Sequence, residues 1–383
     1  MASSADETRS LIETVREFVK QEVLPVANAL EHEDEYPQEI LDKMAELGFF
    51  GLTIPVEYGG VGLSKVAYAS VVEELCTGWM SLAGAINSHL IVGEILYRFG
   101  TEEQRKQFLP SMAAGEVRGA LGLSEAEAGS DVASLRTRAV RSNDGYALTG
   151  SKLWVTNGRR CRVLLVAAKT DPQAEPAHKG ISLFVALPGA GYSVARDHEK
   201  LGYKGVETSE VVLDSHYVDA GALVGGEEGA GFAQVMAGLE LGRLNVAARA
   251  VGVARAAYEA AFEYAQERET FGKPIAQHQT IQNMLADMAI NLKAARLLTR
   301  DAAEALDRGE RADLEAGMAK LFASETAAEN SLSAMRIHGG FGFTKDFPVE
   351  RYYRDAPLML IGEGTNEIQR LVVASKLLKG QQP

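Results

Sequence analysis

Apolar residues recur at helical spacing from Glu7 to about Arg118, as in Leu11, Val15, Phe18, Val19 and Val23, with Pro37 and Pro55 as interruptions. This pattern predicts an N-terminal helical domain. From about Leu121 to Val224 it changes to short apolar runs bounded by turn residues, at 146–149, 152–156, 163–168, 181–186 and 209–213. Ser142-Asn143-Asp144-Gly145 reads as a hairpin turn, so the middle third is expected to be an antiparallel β domain. The glycine-rich run 225–231 marks a joint. After it, Ala-rich stretches return at 232–269, 279–306 and 313–337 with the lengths of bundle helices, the first expected to stop at Thr270-Phe271-Gly272-Lys273-Pro274. The expected fold is mainly α with a central antiparallel β domain, divided into a helical domain at 1–120, a β domain at 121–230 and a C-terminal helical bundle at 231–383.

Charge narrows the partners. Lys and Arg number 39 against 52 Asp and Glu, and a net charge of -13 repels phosphate backbones and anionic lipid, so neither nucleic acid nor a membrane surface is expected. Cys76 and Cys161 are the two cysteines and there is no CxxC, which excludes a disulfide framework or a cysteine-rich zinc site and fits a reducing, cytoplasmic compartment. The opening MASSADETRS has no basic segment followed by an apolar one, so no secretory signal is expected. Apolar runs fall well short of the ~20 residues a spanning helix needs.

Several familiar sites are missing from the sequence. His198-Glu199 is not followed by a spaced His, and the other histidines are scattered, so no metal is expected. There is no GxxxxGK[ST] and no GxSxG, and Gly340-Phe341-Gly342 lacks the third glycine and the preceding strand of a Rossmann turn. A dinucleotide, if bound, is held in another way.

Four segments carry candidate chemistry. Residues 123–131 (LSEAEAGSD) offer small residues, hydroxyls and backbone amides to a flat polar ring or an anion, or form an ordinary interdomain loop. Residues 152–158 (KLWVTNG) put Trp154 and Thr156 on one face of a strand by the period of two, suited to a stacked heterocycle or to a core. Residues 268–274 (RETFGKP) place a guanidinium three residues from an aromatic ring, fit for a phosphate and a base, or simply solvated. Residues 351–370 (RYYRDAPLMLIGEGTNEIQR) set Glu363 between two glycines before a helix that Thr365 or Asn366 would cap, with Gln369 completing a capping-box pattern from Asn366. A carboxylate buried there would have its pKa raised toward that of a general base, whereas a solvated one would be inert.

Taken together with HQTIQ and GGFGF…PVERYYRD, these segments resemble the acyl-CoA dehydrogenase family over nearly the whole chain. The resemblance implies an N-terminal helical domain, a β domain and a C-terminal four-helix bundle, assembled as a homotetramer (a dimer of dimers) with extended FAD between β domain and bundle. It implies Leu121, Leu123 and Ser124 at the flavin edge, with Gly129 and Ser130 continuing the wall and Ser130 also near CoA. Trp154, with Val155 beside it, would pack on the isoalloxazine and Thr156 would hydrogen-bond near N5. Arg268, Phe271, Gln279, Arg336, Gly339 and Gly340 would hold pyrophosphate and adenine, commonly across a dimer interface, and Thr365 and Glu367 would touch FAD beyond the Glu363 loop. Glu240, Arg243 and Gly364 would line the substrate site.

The reaction so implied is α,β-dehydrogenation of an acyl-CoA thioester to the trans-2-enoyl-CoA, Glu363 taking the α-proton and the β-hydrogen leaving as hydride, with an electron-transferring flavoprotein as acceptor. Isovaleryl and long-chain branches carry their base at the position of Gly242, which again points to Glu363 here. Departures from the family pattern are Ala126 for Pro, Leu121-Gly122 for a bulkier pair, Lys204-Gly205-Val206 for Arg-x-Ser, and Gly362 for the Tyr of medium-chain members, the last suggesting room for a wider or branched acyl group. Other readings are the same fold acting on a carrier-bound acyl group or as an oxygen-using oxidase, and a catalytically silent flavoprotein or scaffold.

Overall fold

The computed structural model describes residues 5–382. Six helices come first: α1 (Ala5–Phe18), continuing through a π turn into α2 (Leu24–Glu33), then α3 (Gln38–Glu46), α4 (Lys65–Gly78), α5 (Met80–Phe99) and α6 (Glu102–Ala113). Local signals set their starts. The Ser64 side chain accepts from the Ala67 amide at α4, and Thr101 and Gln104 form a reciprocal capping box at α6. Helix α5 is buried on nearly every face, as expected of a helix at the centre of a large core, and that is where it carries Asn87.

The middle segment is one seven-stranded sheet. Its strands are β1 (Gly119–Gly122), β2 (Arg138–Ser142), β3 (Gly145–Thr156), β4 (Val163–Lys169), β5 (Ile181–Ala186), β6 (Tyr192–Asp197) and β7 (Thr208–Asp219), in the order β1-β4-β2-β3-β7-β6 with β5 also on β4. The β2–β3, β3–β7, β6–β7 and β4–β5 pairs are antiparallel, but β1 lies parallel to β4 and β2 meets it in parallel at Arg138. The antiparallel expectation is corrected on this point. Alternation along a strand reports which face is buried, not which way its neighbour runs, and the long excursion between β1 and β4 supplies the connection a parallel pair requires. The runs 146–149 and 152–156 are one strand, with register shifts after Leu148 and after Lys152.

The C-terminal region holds α7 (Gly231–Glu267), the short strands β8 (Glu269–Thr270) and β9 (Lys273–Pro274), α8 (Gln279–Asp307), α9 (Asp313–His338), α10 (Val349–Ile361) and α11 (Asn366–Leu378). Helix α7 ends at Glu267, close to the stop expected at 270–274, and that segment forms a two-residue hairpin: Phe271 and Gly272 have φ of 50° and 76°, the left-handed pair of a type I′ turn. Helix α7 packs against α4 and α5 as well as α8, α9 and α10, so first and last domains share one core while the sheet keeps a second. An ion-pair knot ties α2 to α10: Arg354 binds Glu31 and Glu350 together, and His32 meets Glu350 at 2.6 Å. With Arg354 on both carboxylates, the convergence of Glu31, His32 and Glu350 is accounted for without a metal. Among the described residues no helix is long and apolar enough to cross a membrane.

Candidate active site

Glu363 sits in the short loop between α10 and α11 in a left-handed conformation, φ 57°, and Gly364 follows at 88°. A left-handed glutamate is costly and persists only where its surroundings hold it. Here the loop carbonyls are gripped from α9 and α11. The Lys320 Nζ donates to the carbonyls of Leu360 (3.3 Å) and Gly364 (2.8 Å) and to Asn366 Oδ1 (2.7 Å). The Gln369 Nε2 donates to the carbonyls of Glu363 (3.2 Å) and Gly364 (3.4 Å). Thr365 caps α11 by accepting from the Ile368 amide. The capping box from Asn366 to Gln369 does not form, because both side chains turn inward to hold the loop and Asn366 is consumed by Lys320 and Ser324.

The carboxyl of Glu363 lies against α5 and α7. Asn87 Nδ2 donates to its Oε1 at 3.1 Å. At Gly242 a Cβ would stand 2.8 Å from its Oε2, so the absence of a side chain there gives the carboxylate its place. Burial pushes its pKa above the usual carboxylate range; the charges of Arg249 and Arg243, the Asn87 hydrogen bond and the charge of Lys320 oppose that rise. Lys320, itself fully buried, is brought down by desolvation to about 8.

Around this carboxyl, buried polar atoms lack partners: Asn87 Oδ1, Arg243 Nε, Asn245 Oδ1, Arg249 Nε and Gln369 Oε1. Buried polar groups are nearly always hydrogen-bonded, so this cluster offers donors and acceptors to a ligand or to water. Two clefts, about 210 Å³ between Gln107 of α6 and His216 of β7 and about 270 Å³ beside Arg138 and Tyr146, share no residue with it.

The β domain meets the cluster through Tyr203. Its phenol lies beside the Thr156 hydroxyl and packs on Gly84, while its ring faces the Arg249 guanidinium at 5.9 Å. Thr156 and Glu363 are thereby brought to one place. The bulge after Lys152 breaks the alternation assumed for KLWVTNG. Trp154 takes a φ of 62°, is 58% exposed and lies tilted against His198 at 4.4 Å, whereas the Val155 side chain is fully buried in the sheet's own core, leaving only its backbone to a ligand. Leu121, Leu123 and Ser124 are half-buried beside it, and buried Lys152 pins that segment through the Leu123 carbonyl (3.1 Å) and Glu125 Oε1 (2.6 Å). Gly129 and Ser130 are exposed, with open space beside Gly129.

Arg268, Phe271, Gln279, Arg336, Gly339 and Gly340 form a second, separate set, all exposed. Tyr264 of α7 stacks on His338 of α9 at 4.2 Å, which brings the Arg268 hairpin beside the Arg336–Gly340 turn. Among the described residues no hydrogen bond, ion pair or ring contact joins this set to Trp154 or Glu363 within one chain. Glu240 is buried below Gly242, 3.7 Å from Arg311, and Arg243 reaches Asp313 at 3.4 Å. Glu367 is exposed on the first turn of α11. Sequence reasoning missed Asn87, Tyr203, Arg249 and Lys320. Arg249 alone left a signal, as the one charge in the small, apolar run 246–253.

The residues present fit FAD. An outward-turned Trp held by a strand bulge and a left-handed Phe271 that is 96% exposed are large apolar surfaces able to take a flat ring, and open space stands at Gly129, Gly339 and Gly340.

Family models described as the N-terminal, middle and C-terminal domains of acyl-CoA dehydrogenase match residues 5–116, 120–216 and 229–378. The chain is 42% identical over 369 residues to an acyl-CoA dehydrogenase of Bacillus subtilis, covering 96% of each chain. It superposes on butyryl-CoA dehydrogenase from Megasphaera elsdenii with a TM-score of 0.95 at 34% identity, covering 99% of this chain and 100% of that one. A prolyl acyl carrier protein oxidase gives 0.93 at 31% identity, covering 98% and 100%. Matched in all three domains, and along its length by relatives that share its fold, the chain belongs to the acyl-CoA dehydrogenase family of FAD-dependent oxidoreductases.

Proposed function

We propose that the protein catalyses α,β-dehydrogenation of an acyl-CoA thioester with Glu363 as the base. The observation that carries this reading is the Glu363 carboxyl itself, half-buried, raised in pKa by desolvation, hydrogen-bonded by Asn87 and close to unpartnered polar atoms. Trp154, Thr156 and the Leu121–Ser124 wall would hold the flavin of FAD, with Thr365 and Glu367 beyond the loop; Arg268, Phe271, Gln279 and Arg336–Gly340 would hold its pyrophosphate and adenine. Bound FAD supplies the hydride acceptor. The chain's own part is to hold the α-carbon against Glu363, to take the α-proton on that carboxylate, and to exclude water with the apolar walls of α5 and α7. The Glu363 amide is the group proposed to polarise the thioester carbonyl, with Glu240, Arg243, Gly364 and Ser130 near the substrate.

The two ligand-holding sets stand apart on one chain, which supports a cofactor shared between subunits of a homotetramer. An electron-transferring flavoprotein is the proposed acceptor and the cytoplasm the proposed location, in keeping with two free, buried cysteines. A second reading, a carrier-bound acyl group with oxygen as acceptor, is favoured by the likeness to the prolyl acyl carrier protein oxidase. Anaerobic titration of the yellow holoenzyme with straight, branched and cyclic acyl-CoAs tests the leading reading: bleaching of the flavin band by one class supports it, and no bleaching by any of them rejects it. Prompt reoxidation in air with peroxide would favour the oxidase.

Two further outcomes are expected. Glu363 must be ionised to accept a proton, so kcat/KM rises with pH through its pKa, later than for an ordinary glutamate because that pKa is raised. Asn87→Leu removes a donor to the charged form and moves the rising limb to still higher pH; a limb that stays in place would remove Asn87 from the site. Of the two tryptophans Trp79 is buried, so FAD added to apoprotein should quench the Trp154 emission. Trp154→Phe should lose most of that quench and weaken FAD binding by roughly 10-fold, the order of one aromatic stacking contact.

A further inference from the structure

Arg249 lies in the middle of α7 with 5% of its surface exposed, and among the described residues it makes no hydrogen bond and no ion pair. The groups around it are Tyr68, Cys76, Tyr203, Lys320 and Glu363. None pairs with it. Tyr68 takes its hydrogen bond from Asn245 at 2.7 Å, and Glu363 takes its own from Asn87. A desolvated guanidinium without a counter-charge is among the most expensive arrangements a core can hold, and in most proteins such groups are paired.

The position is informative. Arg249 follows Gly242 by seven residues, two helical turns, so it stands on the same face of α7 about 10 Å further along the axis. Side chains lean toward the helix N-terminus, which points this one back toward the Glu363 carboxylate. Asn245, three residues from Gly242 and four from Arg249, lies on that face between them and also has a buried oxygen without a partner. An acyl chain whose α-carbon meets Glu363 beside Gly242 would therefore run along this face toward the guanidinium.

Resting on the acyl-CoA reading, we infer that Arg249 is a specificity-determining residue that receives an anionic group at the far end of a short acyl chain, so that the preferred substrates are mono-CoA thioesters of dicarboxylic acids. Arg presents a planar fork matched to a carboxylate, and in a dry site such a pair is strong. The pairing also settles a conflict at the base. The Arg249 charge is the largest of the influences that favour ionised Glu363, and so it works against the burial that makes this group basic. A substrate carboxylate on Arg249 cancels that field and leaves Glu363 more basic when the matching substrate is bound. A neutral chain leaves the guanidinium buried and unpaired. The apolar alternative, a pocket floor for a plain alkyl chain, gives no partner to the charge.

The test uses the holoenzyme carrying Glu363→Gln, where flavin reduction is slow enough for thioester binding to be read before it, and follows the flavin spectrum with succinyl-, glutaryl- and adipyl-CoA against butyryl-, valeryl- and hexanoyl-CoA. Tighter binding of at least one carboxyl member, on the order of 100-fold over its neutral counterpart, is expected. Adding Arg249→Gln should abolish that preference while leaving neutral thioesters bound as well or better, and Arg249→Lys should keep part of it. Equal or tighter binding of the neutral series, with butyryl-CoA or its homologues bleaching the wild-type flavin, overturns this inference and leaves the acyl-CoA reading standing. Loss of both series alike in Arg249→Gln, with FAD content and melting temperature unchanged, overturns it too. Absence of binding by every thioester overturns both. Should Arg249→Gln fail to fold, the comparison of the two series in the parent protein decides the matter alone.

Discussion

Replacing Glu363 with Gln is expected to lower the rate of flavin reduction by roughly 10²- to 10⁴-fold, the usual contribution of a positioned general base. The substitution keeps shape, hydrogen-bonding capacity to Asn87 and the left-handed turn, and removes only the ability to take a proton. FAD content and thioester affinity should therefore stay close to those of the wild type. Rapid mixing under anaerobic conditions, with an acyl-CoA that bleaches the wild type, measures the loss directly. A variant that bleaches at the parent rate would mean that another group removes the proton. Glu363→Asp should fall between the two, since the carboxylate remains but is withdrawn by one methylene from a site where misplacement by about 1 Å can cost 10²-fold.

Lys320→Met is expected to act at one remove, as loss of a positioning residue. The ammonium donates to the carbonyls of Leu360 and Gly364 and to the Asn366 oxygen; Met of similar length leaves the Leu360 carbonyl without a side-chain donor, and leaves Gly364 with Gln369 alone and Asn366 Oδ1 with Ser324 alone. A buried acceptor left unsatisfied costs ~1–3 kcal/mol, so a loss of about 1–3 kcal/mol is expected, visible as a drop of a few degrees in Tm. The second effect is catalytic. With the loop unpinned, Glu363 no longer stays in its left-handed conformation, and flavin reduction should slow by ~10- to 100-fold while FAD remains bound. The third separates Lys320 from a purely structural residue: removing its positive charge takes away one influence that lowers the Glu363 pKa, so the rising limb of kcat/KM moves to higher pH. A destabilised variant whose pH profile is unchanged would assign Lys320 to folding alone.

Much of the molecule was legible before its shape was known. The helical stretches at 232–269, 279–306 and 313–337 are helices at Gly231–Glu267, Gln279–Asp307 and Asp313–His338, because periodicity and chain punctuation are local properties. The strand runs appear as well, although β1 joined in parallel and β3 absorbed two runs through its bulges. Where local reasoning failed, a long-range demand had overridden it. Asn366 left its capping role to satisfy Lys320, and Trp154 left the strand's alternation at a bulge.

The amino-acid order alone thus determined the three-part architecture, the membership that its motifs imply, and the glycine-flanked Glu363 as the candidate base, since each rests on residue types at fixed spacings. What only the tertiary structure decided is the company that glutamate keeps. Asn87 stands 276 residues from it in sequence, yet donates to its carboxylate at 3.1 Å. Lys320 and Arg249 reach the same place from two other helices, through packing of α7 and α9 that no local pattern encodes. Burial raises the pKa of an ordinary carboxyl and leaves an ordinary arginine without a counter-charge, and burial is a property of the assembled core.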